Sequence, residues 1–164
     1  MDYKSFHMIF KELTDDKKMI VLEIMRKFEH TTPKIDYSKA LNLALKESIY
    51  SMETLLRKIR EIAKIKYNII DEEHLYNYAN EDTIKSIFKR GSTKSSHYDE
   101  ILDILGIDDN YLQIIYYDYL KTNEEGLFET MSAADQNTIY NLVLALKNSE
   151  EDISYMYDEI DLNG

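Results

Sequence analysis

Apolar residues recur along this chain at three- and four-residue spacing, the period of amphipathic helices. Phe6, Ile9, Phe10 and Leu13 fall on one face of a helix over 3–13. Thr14 is placed to cap a second over about 15–29, with Asp15 and Asp16 in the first turn where the helix dipole favours acids, and with Ile20, Leu22, Met25 and Phe28 among its apolar residues. A loop at His30–Lys34 holds the single Pro. The next helix, over about 38–46, turns Leu41, Ala44 and Leu45 inward, and Ser51 caps another over 52–67 whose apolar set is Leu55, Leu56, Ile59, Ile62 and Ala63. Short helices around Glu72–Ala79 and Asp82–Lys89 precede a Gly-Ser-Thr-Lys-Ser-Ser loop at 91–96. A helix over 98–105 then ends at Gly106, a residue suited to a left-handed stop. The block 109–120, DNYLQIIYYDYL, is apolar and aromatic around much of its circumference and is expected to be largely buried. After a short helix at 124–131, Ser132-Ala133-Ala134-Asp135 reads as a capping box opening a helix over 133–147, with Ile139, Leu142, Val143 and Leu146 along one face. The acidic, tyrosine-bearing segment EEDISYMYDEIDLNG follows.

Composition narrows the function classes. With 44% hydrophobic and 31% charged residues in 164, the chain can build a core, and one Pro with four Gly leaves few helix breakers, so an all-α fold is expected. No Cys is present, which excludes disulfides, thiol nucleophiles and Cys-bearing zinc sites and fits a reducing cytoplasm. The opening MDYKSFHMIFKEL mixes acids and bases without an apolar signal core, and no apolar run approaches the ~20 residues of a membrane span. A cytoplasmic protein with no membrane partner is the expectation. His7, His30, His74 and His97 form no metal-spaced pair. Glu159-Ile160-Asp161-Leu162-Asn163-Gly164 resembles the start of a calcium loop, but the closing bidentate Glu does not follow. Lacking also a Gly-rich phosphate loop, a nucleophile elbow or a Cys/His pair, the chain is read as a non-enzyme without metal or cofactor. Tyr111, Tyr116, Tyr117 and Tyr119, at helical spacing, are read as packing residues rather than base-stacking ones.

Net charge is −11, which by itself disfavours a nucleic-acid partner. The average conceals an asymmetry. Residues 1–97 hold 18 Lys and Arg against 15 Asp and Glu, a net of +3, whereas residues 98–164 hold 2 against 16, a net of −14. Such a division suggests a basic working surface followed by an acidic region, or simply a solvated acidic helix surface. Two clusters of net +4 stand out, Arg57, Lys58, Arg60, Lys64 and Lys66 against Glu61, and Lys85, Lys89, Arg90 and Lys94 with no acid between them.

The run Leu55–Asn110 resembles the Cro and phage-repressor (XRE-type) helix-turn-helix family. LLRKIREIAKIKYN is similar to that family's opening basic helix, and EEHLYNYANEDTIKSIFKRGSTKSSHYDEILDILGID to its helix, turn, recognition helix, Gly-containing loop and a helix closing in Leu-Gly-Ile. LFETMSAADQNTIYNLVLALKNSEED is similar to a C-terminal helix of small phage-type regulators. The resemblance implies a compact helical protein with a helix-turn-helix core at 51–110, extra N-terminal helices at 1–50, and an acidic helical region at 111–164 suited to dimerisation. Within the first segment, SKALNLALKESIYSMETLLRKI offers an alternative winged-helix-style unit reaching about residue 67, with Ser51–Ile62 as a second candidate recognition helix.

On this resemblance Thr83, Lys85, Ser86 and Lys89 are the base-reading candidates, and Arg57, Arg60, Arg90, Ser92, Thr93 and Lys94 the phosphate contacts. Two functions follow as expectations. One is a DNA-binding transcriptional regulator of phage or mobile-element type, a homodimer on double-stranded DNA. The other is a protein-binding inhibitor, an antirepressor or anti-defence protein, whose acidic C-terminal third occupies a basic surface on a protein partner. The apolar stripe of 133–147 has two readings of its own, a dimer interface or the closure of the chain's own core.

Overall fold

The computed structural model describes residues 1–149; the segment EEDISYMYDEIDLNG, with its calcium-loop-like ending, lies outside the described residues. Among the described residues the protein is all-α, with helices α1 (Tyr3–Phe10), α2 (Asp15–Lys27), α3 (Tyr37–Glu47), α4 (Met52–Lys66), α5 (Glu72–Tyr78), α6 (Glu81–Arg90), α7 (Ser96–Leu105), α8 (Asp109–Thr122), α9 (Glu124–Glu129) and α10 (Ala133–Lys147). The only β-type pairing among them is an isolated bridge between His30 and Met131.

Local chemistry sets the helix ends. The Thr14 hydroxyl accepts from the Lys17 amide at 3.4 Å and the Ser132 hydroxyl from the Asp135 amide at 3.1 Å, caps legible in the sequence. A reciprocal capping box forms at α4, where the Thr54 amide donates to Ser51 Oγ at 3.2 Å and the Ser51 amide to Thr54 Oγ1 at 2.8 Å. Gly91 and Gly106 end α6 and α7 at φ 66° and 73°, the left-handed region where a Cβ is disfavoured.

The chain gathers into two compact units that do not follow the three consecutive segments expected: one holds Met1–Pro33 with Asp118 onward, the other Lys34–Tyr117, and the division falls inside α8. In the first, Phe6 and Phe10 of α1, Leu13 after it, and Val21, Ile24 and Met25 of α2 share one core with Leu127, Phe128 and Met131 and with Ile139, Val143 and Leu146 of α10. Phe6 stacks on Phe128 with ring centroids 4.7 Å apart. The α10 stripe therefore closes this core, with Ile139 and Val143 at 0% and Leu146 at 1% exposure. Lys17 on α2 locks the arrangement, its ammonium donating to the Leu146 carbonyl at 2.7 Å and the Ser149 carbonyl at 2.6 Å. Its charge sits where the α10 dipole is negative. The ring nitrogens of His30 lie 2.7 Å from Thr130 Oγ1 and 2.7 Å from the Met25 carbonyl, tying the Pro-containing loop to the turn after α9.

In the second unit α3 packs on α6, and α4 on α5, α6 and α7. Two expectations are corrected. Ile62 is not inward but 36% exposed, and 109–120 is one-sided: Leu112, Ile115 and Tyr116 are buried, whereas Tyr111 and Ile114 are 49% and 62% exposed. Residues 112, 115 and 116 make one helical face by their spacing, and Tyr111 and Ile114 lie off it and stay exposed.

Candidate nucleic-acid interface

The candidate side chains all belong to the Lys34–Tyr117 unit, on α4, on α6 and on the bend after it. Ile84, Ile87 and Phe88 form the buried face of α6, so Glu81, Asp82, Thr83, Lys85, Lys89 and Arg90 are exposed and Ser86 is half-buried. The helix is fastened from behind by α3. Ser38 Oγ donates to the Phe88 carbonyl at 2.7 Å and Asn42 Nδ2 to the same oxygen at 3.2 Å. A Cβ at Gly91 would lie 2.7 Å from the Ser38 nitrogen and 2.9 Å from Tyr37 Cβ, so only glycine lets α3 approach the end of α6 this closely. Sequence reasoning assigned α3 to a separate N-terminal segment and missed this support, because a pairing across fifty residues leaves no local signal.

The ten candidates fall into four states. Lys89, Arg90 and Lys94 are exposed and have no ion pair among the described residues, and Thr83 is exposed beside them on α6. Ser86 on α6 and Ser92 and Thr93 in the bend that follows Gly91 are half-buried. Arg57 and Lys85 are exposed but already face an acid one turn away, Glu53 at 3.6 Å and Glu81 at 2.9 Å. The hydrogen bond between Glu81 and Lys85 holds the carboxyl below its ordinary pKa and the ammonium above its own. Arg60 is committed to the fold, its Nε and Nη2 donating to the Ala79 carbonyl at 3.3 and 3.0 Å while its guanidinium lies 4.0 Å from the centroid of the Tyr76 ring. That bond satisfies a carbonyl at the end of α5, a group that otherwise lacks an intrahelical partner. Arg57, Arg60 and Lys64 also line a cleft of about 350 Å³ floored by Leu75 and Tyr76.

Asp82 shares the outward stripe of α6 with Lys85 and Lys89, at three- and seven-residue spacing. Together with Glu81 it favours the N-terminal dipole of α6 but opposes phosphate there. Positive potential is therefore concentrated at the other end of the helix.

The acids of the chain's last third are partly engaged inside the two units. Tyr78 donates to Glu100 at 2.5 Å, Tyr98 to Asp109 at 2.8 Å and Tyr119 to Glu125 at 2.8 Å, and Glu124 lies 2.8 Å from His7 Nδ1. Burial, reinforced by these bonds, pushes the three phenols well above their ordinary pKa, and the Tyr98 bond lowers that of Asp109. Tyrosines and acids that look independent in the sequence thus form pairs. Among the described residues, no group of three or more His, Asp or Glu is placed to hold a metal ion, and no helix is long and apolar enough to cross a membrane.

No family model matches the chain, and no curated protein or solved structure is found to match it.

Proposed function

We propose that the Lys34–Tyr117 unit binds duplex DNA through the outward face of α6 and that the protein is a transcriptional regulator of phage or mobile-element type, as its resemblance to the Cro and phage-repressor family implies. The observation that carries this reading is the group Lys89, Arg90 and Lys94, three exposed cations without ion pairs among the described residues, gathered at the end of a helix whose opposite face is buried. Thr83, Lys85, Ser86 and Lys89 face the base edges in this reading, Arg57, Arg90 and Lys94 the phosphates, and Ser92 and Thr93 the backbone beside the bend. Arg60 acts through Tyr76 and Ala79 and keeps α5 beside α4. A two-fold operator requires a homodimer, made through a surface other than the core-forming stripe of α10.

One observation favours the protein-binding inhibitor instead: the Lys34–Tyr117 unit carries 12 Lys and Arg against 14 Asp and Glu, so it is not basic as a whole. A salt series of binding to random duplex DNA separates the two. DNA binding shows a steep linear fall of log affinity with log salt, and the double variant Arg90→Ala, Lys94→Ala flattens that slope by roughly 1.8, about 0.9 for each phosphate no longer neutralised. Absence of binding at low salt, or an unchanged slope in the variant, overturns the DNA reading and leaves the inhibitor.

A further inference from the structure

Another edge of α4 carries Lys58, Ile62 and Lys66 at four-residue spacing, a row apart from the one that holds Arg57, Arg60 and Lys64. This row lines a cavity of about 300 Å³ whose α7 wall is Glu100, Asp103 and Ile104, with Tyr50 and Tyr67 completing the lining. The two walls carry opposite charges that do not meet. Among the described residues Lys58 pairs only with Glu61 on its own helix, at 3.9 Å, and Lys66 lies 5.4 Å from the centroid of the Tyr67 ring, while neither reaches Glu100 or Asp103. Glu100 is held in place from behind: its Oε1 accepts from Tyr78 at 2.5 Å and lies 3.7 Å from Nδ1 of His97, a buried nitrogen without a hydrogen-bond partner. Tyr78 in turn packs against Tyr67 at 5.2 Å and edge-on to His97 at 5.0 Å. The carboxylate is pre-oriented, and its second oxygen has no partner among the described residues.

We propose that this cavity binds a small zwitterion with an apolar body, an α-amino acid with a branched or aromatic side chain. Its ammonium is held by Glu100 and Asp103, its carboxylate by Lys58 and Lys66, and its side chain by Ile62, Ile104 and the Tyr67 ring. The volume is at the small end of ligand sites, which run from about 300 to 1,000 Å³. A ligand of one sign leaves one charged wall uncompensated inside a partly enclosed space, and a polyanion meets two carboxylates. The site is independent of the DNA reading, since it uses other residues and a different edge of α4.

The test is calorimetric titration of the full chain with L-phenylalanine and L-leucine, alongside phenethylamine and hydrocinnamate, which keep the apolar body but only one charge each. Methyl NMR shifts of Ile62 and Ile104 give a second readout where heats are small. At least one amino acid should bind saturably, with both single-charge analogues weaker by about tenfold or more, the worth of one charge-assisted hydrogen bond. Asp103→Asn and Lys66→Met should each weaken binding about tenfold while leaving the urea midpoint unchanged, because neither side chain has an ion pair among the described residues. The proposal is overturned if neither amino acid binds, if phenethylamine or hydrocinnamate binds as tightly as phenylalanine, or if both variants retain full affinity.

Discussion

Leu146→Ala tests whether the apolar stripe of α10 is core or seam. The side chain is 1% exposed and belongs to the cluster that includes Phe6, Phe10, Val21 and Phe128. Truncation removes roughly three carbons at about 0.8 kcal/mol each, near 2.4 kcal/mol of transfer free energy. The void left among aromatic rings that cannot collapse fully adds to this, for a total of about 3–5 kcal/mol. The backbone bond from Lys17 Nζ to the Leu146 carbonyl survives the change, so the loss is one of packing alone. Urea unfolding followed by far-ultraviolet circular dichroism, at two widely separated protein concentrations, measures it. A core role gives a large drop in the midpoint that is the same at both concentrations, since a contact within one chain is not weakened by dilution. A small drop, or a wild-type midpoint that falls on dilution and ceases to do so in the variant, would refute the core assignment and restore the stripe as an interface.

Gly126→Ala ordinarily gains about 1 kcal/mol in a helix, but here the added Cβ would lie 2.6 Å from the Tyr119 carbonyl oxygen and 2.7 Å from Leu120 Cα, backbone atoms that cannot step aside, so a net loss of about 1–3 kcal/mol in the same urea assay is expected and a gain would contradict it. Arg60→Ala should lower stability by about 1 kcal/mol and leave the salt slope of DNA binding unchanged, whereas Arg57→Ala should leave stability unchanged and reduce that slope; measuring both quantities on both variants checks the division of labour. Tyr78, Tyr98 and Tyr119 have folded pKa values raised above the ordinary phenol value of about 10, so the stability they contribute is complete below that pH and is lost as pH rises beyond it. An alkaline titration read by tyrosinate absorbance should therefore show a late group of tyrosines that ionise only with unfolding, and a single wave near the ordinary value would contradict the pairing.

The helix pattern, the caps at Thr14, Ser51 and Ser132 and the left-handed stop at Gly106 were legible in the sequence, because each depends on residues within one or two turns of one another. The exposed cations of α6 were legible for the same reason, since the apolar spacing of Ile84, Ile87 and Phe88 already says which face is hidden. What local pattern cannot carry is the identity of a distant partner. The stripe on α10 was visible, but that it meets α1 and α2 rather than a second molecule depends on packing between residues more than a hundred positions apart. The burial of one face of α8 with Tyr111 and Ile114 left exposed, the fastening of α6 by Ser38 and Asn42, and the commitment of Arg60 to the Ala79 carbonyl are likewise products of packing. Charge misled most where pairing is tertiary: Glu100, Asp109 and Glu125 count as acidic surface in the sequence, yet in the folded units tyrosine hydroxyls take them up. Period and capping are short-range and written in neighbouring residues, whereas the choice of partner is set by which apolar faces and polar tips the whole chain can bury together.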